Sequence, residues 1–552
     1  MDMRLNGLFV NGPWLVLLLL FLAGCDNGKR TAGPQPLLDS VSIVEYMAAE
    51  PAFKEHIDWA KKFYKERNFK LGWFKDHELV PQATEMLTVI GKADEEGLDP
   101  QDYQIVDFEK LFKDFKNRGR DSTIRNAMEK EIDVALSATY FNWASDYYRG
   151  IVVPRENNDV IEWDVKRNKI KLHKALATIL RERDSKYPYD EFKPLHEEYA
   201  NLKKALARYR DIRASGGWPV IPKGTYLEPG QSSPVVKTLA GRLKYFISPS
   251  DTAKIRTDKY DTILVEAVKA FQERNGVKAS GIIGPETVRI LNIPVDDRID
   301  QIIINMERWR WIPKSFEPDY LMVNIPEFKL KLVDDSQTVM TMKVIVGKEL
   351  NSTPVFSDKM EYVVLSPYWN VPPNILKKEI APHVMKDPAY LERLDMEVIT
   401  YQGQRVSPYS IDWSMAGEKG FNYIVRRRPG PRNDLGGVKF IFPNVGNIYL
   451  HDTPQDQLFS QAKRGFSHGC VRVEEPIKLA EYLLKDVPGR WTKARILRQI
   501  GTRQELHVPL KAKLPVYLVY FTAWADSEGN VHFRDDIYGH DKVLKKRYFS
   551  RI

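Results

Sequence analysis

Two segments, Ile448-Tyr449-Leu450-His451-Asp452-Thr453-Pro454 and, after a short loop, Gly465-Phe466-Ser467-His468-Gly469-Cys470-Val471-Arg472-Val473, decide the reading of this chain. A thiol is a useful nucleophile only as thiolate, so it needs a cation or a proton acceptor beside it. The first segment reads as a strand, Asn447–His451, and a loop returning from it to Cys470 brings imidazole and thiol together. Gly469 removes a Cβ beside the sulfur, which opens a path for a carbonyl carbon. It also lets the N–H groups of Gly469 and Cys470 turn toward a developing oxyanion. Arg472 adds a fixed positive charge suited to a substrate carboxylate. Two other readings compete. A zinc site built from His451, Asp452, His468 and Cys470 lacks the usual paired ligand spacing. A structural cysteine among satisfied core histidines fits poorly with polar residues converging around two glycines.

Outward from this site the period is that of strands. Phe328, Leu330 and Leu332 alternate with Lys329 and Lys331, and strands are also expected at Val339–Val346, Tyr362–Leu365, Val438–Phe442 and Val516–Thr522. Together they predict a mostly-β domain over 318–540. Within it, 367–436 is rich in Pro, Gly and Arg and reads as an insertion, a candidate lid, with helix expected at 375–395. Upstream, Val236, Leu239, Leu243 and Phe246 share one helical face, and Leu264, Ala267, Val268 and Phe271 another, which sets a small helical module at 228–295. Segments Phe53–Arg67, Ala83–Glu96, Ile132–Tyr148 and Leu195–Ile212 carry helical spacing without a catalytic constellation. They predict a scaffold over 45–220. The fold class is therefore multidomain: an α-helical scaffold, a small α-helical module and a mostly-β domain with a lid-like insertion.

The start of the chain is an address. After Arg4 comes the apolar run Trp14–Phe21, closed by Leu22-Ala23-Gly24-Cys25, too short for a confident membrane span and shaped like an export signal. Residues 1–25 are thus expected to be a signal peptide, and 26–44 a tether. The chain has 552 residues and two cysteines. A solitary thiol at Cys470 in an oxidising compartment suggests that the thiol has a task. The net charge of +9 suits a polyanionic partner or simply a soluble surface, and no basic stripe interleaved with aromatics argues for nucleic acid.

Several of these features resemble known families. Leu22-Ala23-Gly24-Cys25 resembles a bacterial lipobox, which implies diacylation of Cys25 and membrane anchoring; Asp26 resembles an inner-membrane retention signal, with the outer membrane or a plain signal as alternatives. Ala267-Val268-Lys269-Ala270-Phe271-Gln272, Gly281–Thr287 and Leu291-Asn292 resemble a peptidoglycan-binding module. Ser467-His468-Gly469-Cys470-Val471-Arg472, preceded by His451, is similar to the signature of the YkuD-type L,D-transpeptidases. Asn305–Trp311, Tyr368–Pro373 and Thr522-Ala523-Trp524 look like the large, YcbB-like branch. The resemblance implies Cys470 as acylated nucleophile and His451 as general base. It implies Gly469, Tyr449 and His468 as site-shaping or oxyanion residues, and Arg472 as a substrate contact. It further implies 3–3 cross-linking of wall stem peptides, acylation by carbapenems and no metal or organic cofactor. The expected partners are peptidoglycan stems and glycan, a membrane through Cys25 and wall synthases, with no nucleic acid. A carboxypeptidase, a protein-to-wall attaching enzyme and a lapsed wall-binding lipoprotein remain alternatives.

Overall fold

Helix Ser122–Arg149 is buried on every side from Ile132 to Tyr148, as only an enclosed helix can be. The computed structural model, which describes residues 35–118, 120–154, 163–164, 170–181, 196–255, 258–313 and 315–551, surrounds it with other helices. These include Ile57–Glu66, Pro81–Gly91, Leu172–Arg181 and Glu197–Ala214. Two carboxylates in this stretch are compensated: Asp133 accepts the Tyr64 hydroxyl at 2.7 Å and the Trp73 N–H at 2.7 Å, and Asp146 accepts the Tyr103 hydroxyl at 3.1 Å. Residues 26–44, expected as tether, do not stay free to their end. Asp39 accepts the N–H groups of Val41 and Ser42 and starts helix Ser40–Ala49, whose Ile43 and Met47 enter the same core. The expected export signal and Cys25 lie outside the described residues.

The module has a core of its own. Helices Val235–Leu243, Thr262–Arg274 and Pro285–Leu291 bring Val236, Leu239, Leu264, Val268 and Leu291 together. Ile221 and Leu227 belong to this core as well, ahead of the expected boundary at 228. The Ile221 N–H is tied to Asn292 Oδ1 at 2.8 Å, and Leu227 bridges to Ile283.

Helix Val295–Trp311 joins the units and is shared between two cores. Ile302, Ile303, Met306 and Trp309 pack among the scaffold helices, whereas Ile304 and Trp311 enter the β core. The sheet beyond it runs in the order Val438–Ile441, Leu450–His451, Val471–Val473, Gln337–Gly347, Lys329–Asp334, Tyr320–Asn324, Leu506–Val519 and Val355–Leu365. Because Val438–Ile441 pairs with Val355–Leu365 as well as with Leu450–His451, the sheet closes on itself around an apolar interior. The strand expected from Asn447 is only Leu450–His451. Asn444 Oδ1 takes the Ile448 N–H at 2.8 Å and holds the preceding residues in a turn.

Two departures concern this domain. Hairpin Ala523–Ala525/Val531–Phe533, expected with the β domain, packs instead into the scaffold core, where Phe533 meets Tyr209 at 5.9 Å between ring centres. The insertion builds a separate four-stranded sheet around Val371, Val384, Leu391, Val398, Trp413 and Val425. Its expected helix is broken into short pieces, among them a π-helical turn at Leu376–Ile380. Among the described residues no helix is long and apolar enough to cross a membrane.

Candidate active site

Strands Leu450–His451 and Val471–Val473 run parallel, with Leu450 opposite Val471 and His451 opposite Arg472. Side chains alternate across a sheet, so the fully buried Leu450 and Val471 fill the barrel while His451 and Arg472 share its outer face. The ladder extends one residue further, since the Val471 N–H donates to the Tyr449 carbonyl at 3.1 Å. The same parity then adds Tyr449 and Cys470 to the outer face. On the neighbouring strand Lys439 stands opposite His451. Lys439, Tyr449, His451, Cys470 and Arg472 thus form one patch, fixed by register.

Hydrogen bonds set the state of each group. His451 is buried, and its Nδ1 lies 2.5 Å from the Asp452 carbonyl, which can only accept. Nδ1 therefore carries the proton and Nε2 keeps its lone pair. Burial first, then Arg472 and Lys439, hold the imidazole down at about 3. Asp452 keeps its own carboxylate occupied, accepting the N–H groups of Gly437 and Thr453 at 2.7 Å each. Cys470 is half-buried. Burial pushes its thiol up, against hydrogen bonds from Tyr449 and the charges of Lys439 and Arg472. Its Sγ donates to the Asn447 carbonyl at 3.8 Å, so thiol and imidazole share a face while each keeps a backbone partner. The Tyr449 ring packs against His451 at 5.6 Å, and burial keeps its hydroxyl protonated.

The loop that carries the thiol is pinned from below. Ser467 donates to the Cys470 carbonyl at 2.5 Å and accepts the Gly469 N–H at 3.1 Å. The Gly469 N–H, expected to face an oxyanion, is thereby committed to Ser467, and the glycine contributes a backbone φ of +117° instead. Among the described residues the Cys470 N–H has no hydrogen-bond acceptor, so it stays available for a developing oxyanion. Buried Thr353 accepts the Gly347 N–H at 2.9 Å and donates to the Gly469 carbonyl at 2.8 Å. His468 pairs through its Nε2 with Glu379 of the insertion at 2.8 Å. Arg472 donates to Gln455 Oε1 at 2.7 Å and also feels Asp434. Among the described residues no group of three or more His, Cys, Asp or Glu is arranged to hold a metal ion. Sequence reading passed over Lys439, Ser467, Thr353 and Glu379. Ser467 stood in the quoted signature without a role, and the alternation Val438-Lys439-Phe440 puts a charge between two buried positions without telling what it faces.

Comparison with known proteins gives these elements a family. Residues 318–502 match the YkuD profile, "L,D-transpeptidase catalytic domain"; 232–291 match "Putative peptidoglycan binding domain", and 58–206 match "Scaffold domain". A curated protein of Haemophilus influenzae named "Putative L,D-transpeptidase" is 37% identical over 244 residues, 44% of this chain and 48% of that protein. The chain thus spans about half the length of the curated relative it matches. Among solved structures, an L,D-transpeptidase from Xylanimonas cellulosilytica is 17% identical, with 54% of this chain and 99% of that one covered at a TM-score of 0.18. One from Stackebrandtia nassauensis is 13% identical, with 55% and 96% covered and a TM-score of 0.20. The chain thus matches, in sequence order, a helical scaffold, a peptidoglycan-binding domain and, at 318–502, the L,D-transpeptidase catalytic domain of the YkuD family.

Proposed function

We propose that the protein is a cysteine L,D-transpeptidase that remodels peptidoglycan by forming 3–3 cross-links. The observation that carries this reading is the strand register that sets Cys470, His451, Tyr449 and Arg472 on one face. In the first half-reaction the thiol proton passes to His451 Nε2 as Sγ attacks the carbonyl between residues three and four of a donor stem. The new C–S bond forms, the C–N bond breaks, and the departing D-alanine amine takes the proton from His451. In the second half-reaction an acceptor amine attacks the thioester, gives a proton to His451 and releases the thiol. The Cys470 N–H and the Tyr449 hydroxyl stabilise the oxyanion of each tetrahedral intermediate. Rotation of the Cys470 side chain away from Asn447 is the step that joins sulfur to imidazole.

The remaining parts serve delivery. The module of 232–291 holds the enzyme on its polymer and raises the local substrate concentration. Diacylated Cys25 anchors the exported chain at a membrane, with Asp26 favouring the inner one, and the insertion of 367–436 closes over bound stem peptide. Intact mass after incubation with a carbapenem tests the nucleophile: one adduct is expected, absent in Cys470→Ala. Purified disaccharide-tetrapeptide tests the reaction, and dimers with loss of D-alanine are expected. An unmodified wild-type mass would defeat the reading; tripeptide without dimer would replace transpeptidation with carboxypeptidation.

A further inference from the structure

Lys439 sits where a cation is costly. It is half-buried, it makes no ion pair among the described residues, and its Nζ lies 3.8 Å from the centre of the Tyr449 ring. Opposite His451 in the ladder, it faces the same side as the sulfur. A lysine that gains only a ring and a partly dry environment is held there at a loss, unless an anion forms beside it.

The other charges around the sulfur are already engaged. Arg472, on the thiol's own strand, is bonded to Gln455 and balanced by Asp434. His451 is neutral at physiological pH, with its Nδ1 proton given to Asp452. His468 is paired with Glu379 of the insertion. The one carboxylate that acts on Lys439 is Glu505, and that residue is exposed and accepts the Tyr368 N–H at 2.9 Å. Two positively charged groups thus face Cys470, and only Lys439 lacks a close carboxylate.

We infer that Lys439 is a positioning residue for the transpeptidase reaction, whose charge, delivered across the strand face and through the Tyr449 hydroxyl, stabilises the negative charge that develops on the Cys470 sulfur as its proton passes to His451. The inference rests on the transpeptidase reading and assigns the source of the nucleophile's charge. The mutual influence of the two groups agrees with it. Burial pulls the Lys439 ammonium down and the Cys470 thiol up, while each charge favours the other, Lys439 acting on the thiol more strongly than Arg472. A cation over the Tyr449 ring also makes its hydroxyl a stronger donor to the sulfur, so one lysine acts by two routes. The stabilisation grows with the negative charge on Sγ and vanishes once the sulfur is acylated. It therefore favours attack without binding the donor stem.

The test follows alkylation of Cys470 by iodoacetamide against pH, read from the mass of the Cys470 peptide in the full chain, so that Cys25 does not interfere. In Lys439→Met the inflection is expected to rise by about one pH unit, and Lys439→Arg is expected to restore it. Glu505→Gln keeps the lysine and an acceptor for Tyr368, needs no refolding at the site, and is expected to move the inflection slightly down. An inflection unmoved in Lys439→Met, or a Lys439→Arg that behaves like Lys439→Met, would overturn the inference while leaving the nucleophile intact. A wild-type Cys470 that resists alkylation at every pH would overturn the transpeptidase reading and this inference with it.

Discussion

Two histidines in this chain are kept from their protons by burial, each held at about 3: His451 on the reactive face and His540 against Tyr520. An unfolded histidine titrates near 6.5. Between that value and about 3 the unfolded chain takes up protons that the folded one refuses, so stability falls as pH falls. Each histidine adds up to about 1.4 kcal/mol per pH unit within that window. His540 can be tested without touching the chemistry. His540→Phe keeps a ring against Tyr520 and is expected to narrow the gap between urea midpoints at pH 7 and pH 4.5. An unchanged gap would remove His540 from this account. At this scale the sequence made much of the site legible. A lone cysteine beside glycine, with a histidine upstream, is a chemical oddity that needs no fold to be noticed. Lys439 was hidden for the opposite reason: its meaning lies in facing His451 across a strand pair, and a lysine in a strand ordinarily reads as solvated surface.

At the scale of elements, the thiol's position depends on the approach of strand Gln337–Gly347 to the loop after it. A Cβ on Gly347 would stand 2.0 Å from the Asn351 carbonyl, so only glycine permits that turn, which in turn seats Thr353 between Gly347 and Gly469. Thr353→Val keeps the shape and strands one buried N–H and one buried carbonyl, at a cost of about 2 kcal/mol. Thermal unfolding should shift down accordingly, and alkylation of Cys470 should change with it; a melting curve that does not move would separate this loop from the fold's stability. The pair His468–Glu379 is partly exposed, and pairs of that kind contribute about 0–1 kcal/mol. Glu379→Gln is therefore expected to leave the melting temperature unchanged and to speed hydrogen exchange in 376–384. Equal exchange would show that the insertion is held by its apolar core alone. The strands around Leu330 and Val344 were readable because one face is buried and the period is two. The helix expected over 375–395 was not, because a π-helical turn takes up Leu376–Ile380 and the helix stops at Val384, with Pro388 between it and Tyr390–Arg393, and a summed apolar pattern does not reveal such breaks.

The largest departure from sequence reading concerns which residues complete which core. Helix Val295–Trp311 serves two cores, and Trp309 stacks on Phe521 at 4.5 Å, so the scaffold and the barrel share a wall. A contact between residue 209 and residue 533 leaves no trace in local periodicity, which is why the hairpin was assigned to its neighbours in the chain. Phe533→Ala should cost about 3–5 kcal/mol, and the loss of hydrogen-exchange protection should reach helix Glu197–Ala214. Protection lost only within 506–533 would contradict a common core. The same arrangement governs when the molecule can fold. The core that opens with Leu38 is closed by Phe521 and Phe533, so a ribosome has made nearly the whole polypeptide before the first unit has all its parts. Until then the N-terminal half lacks its last layer and leaves part of its apolar surface uncovered.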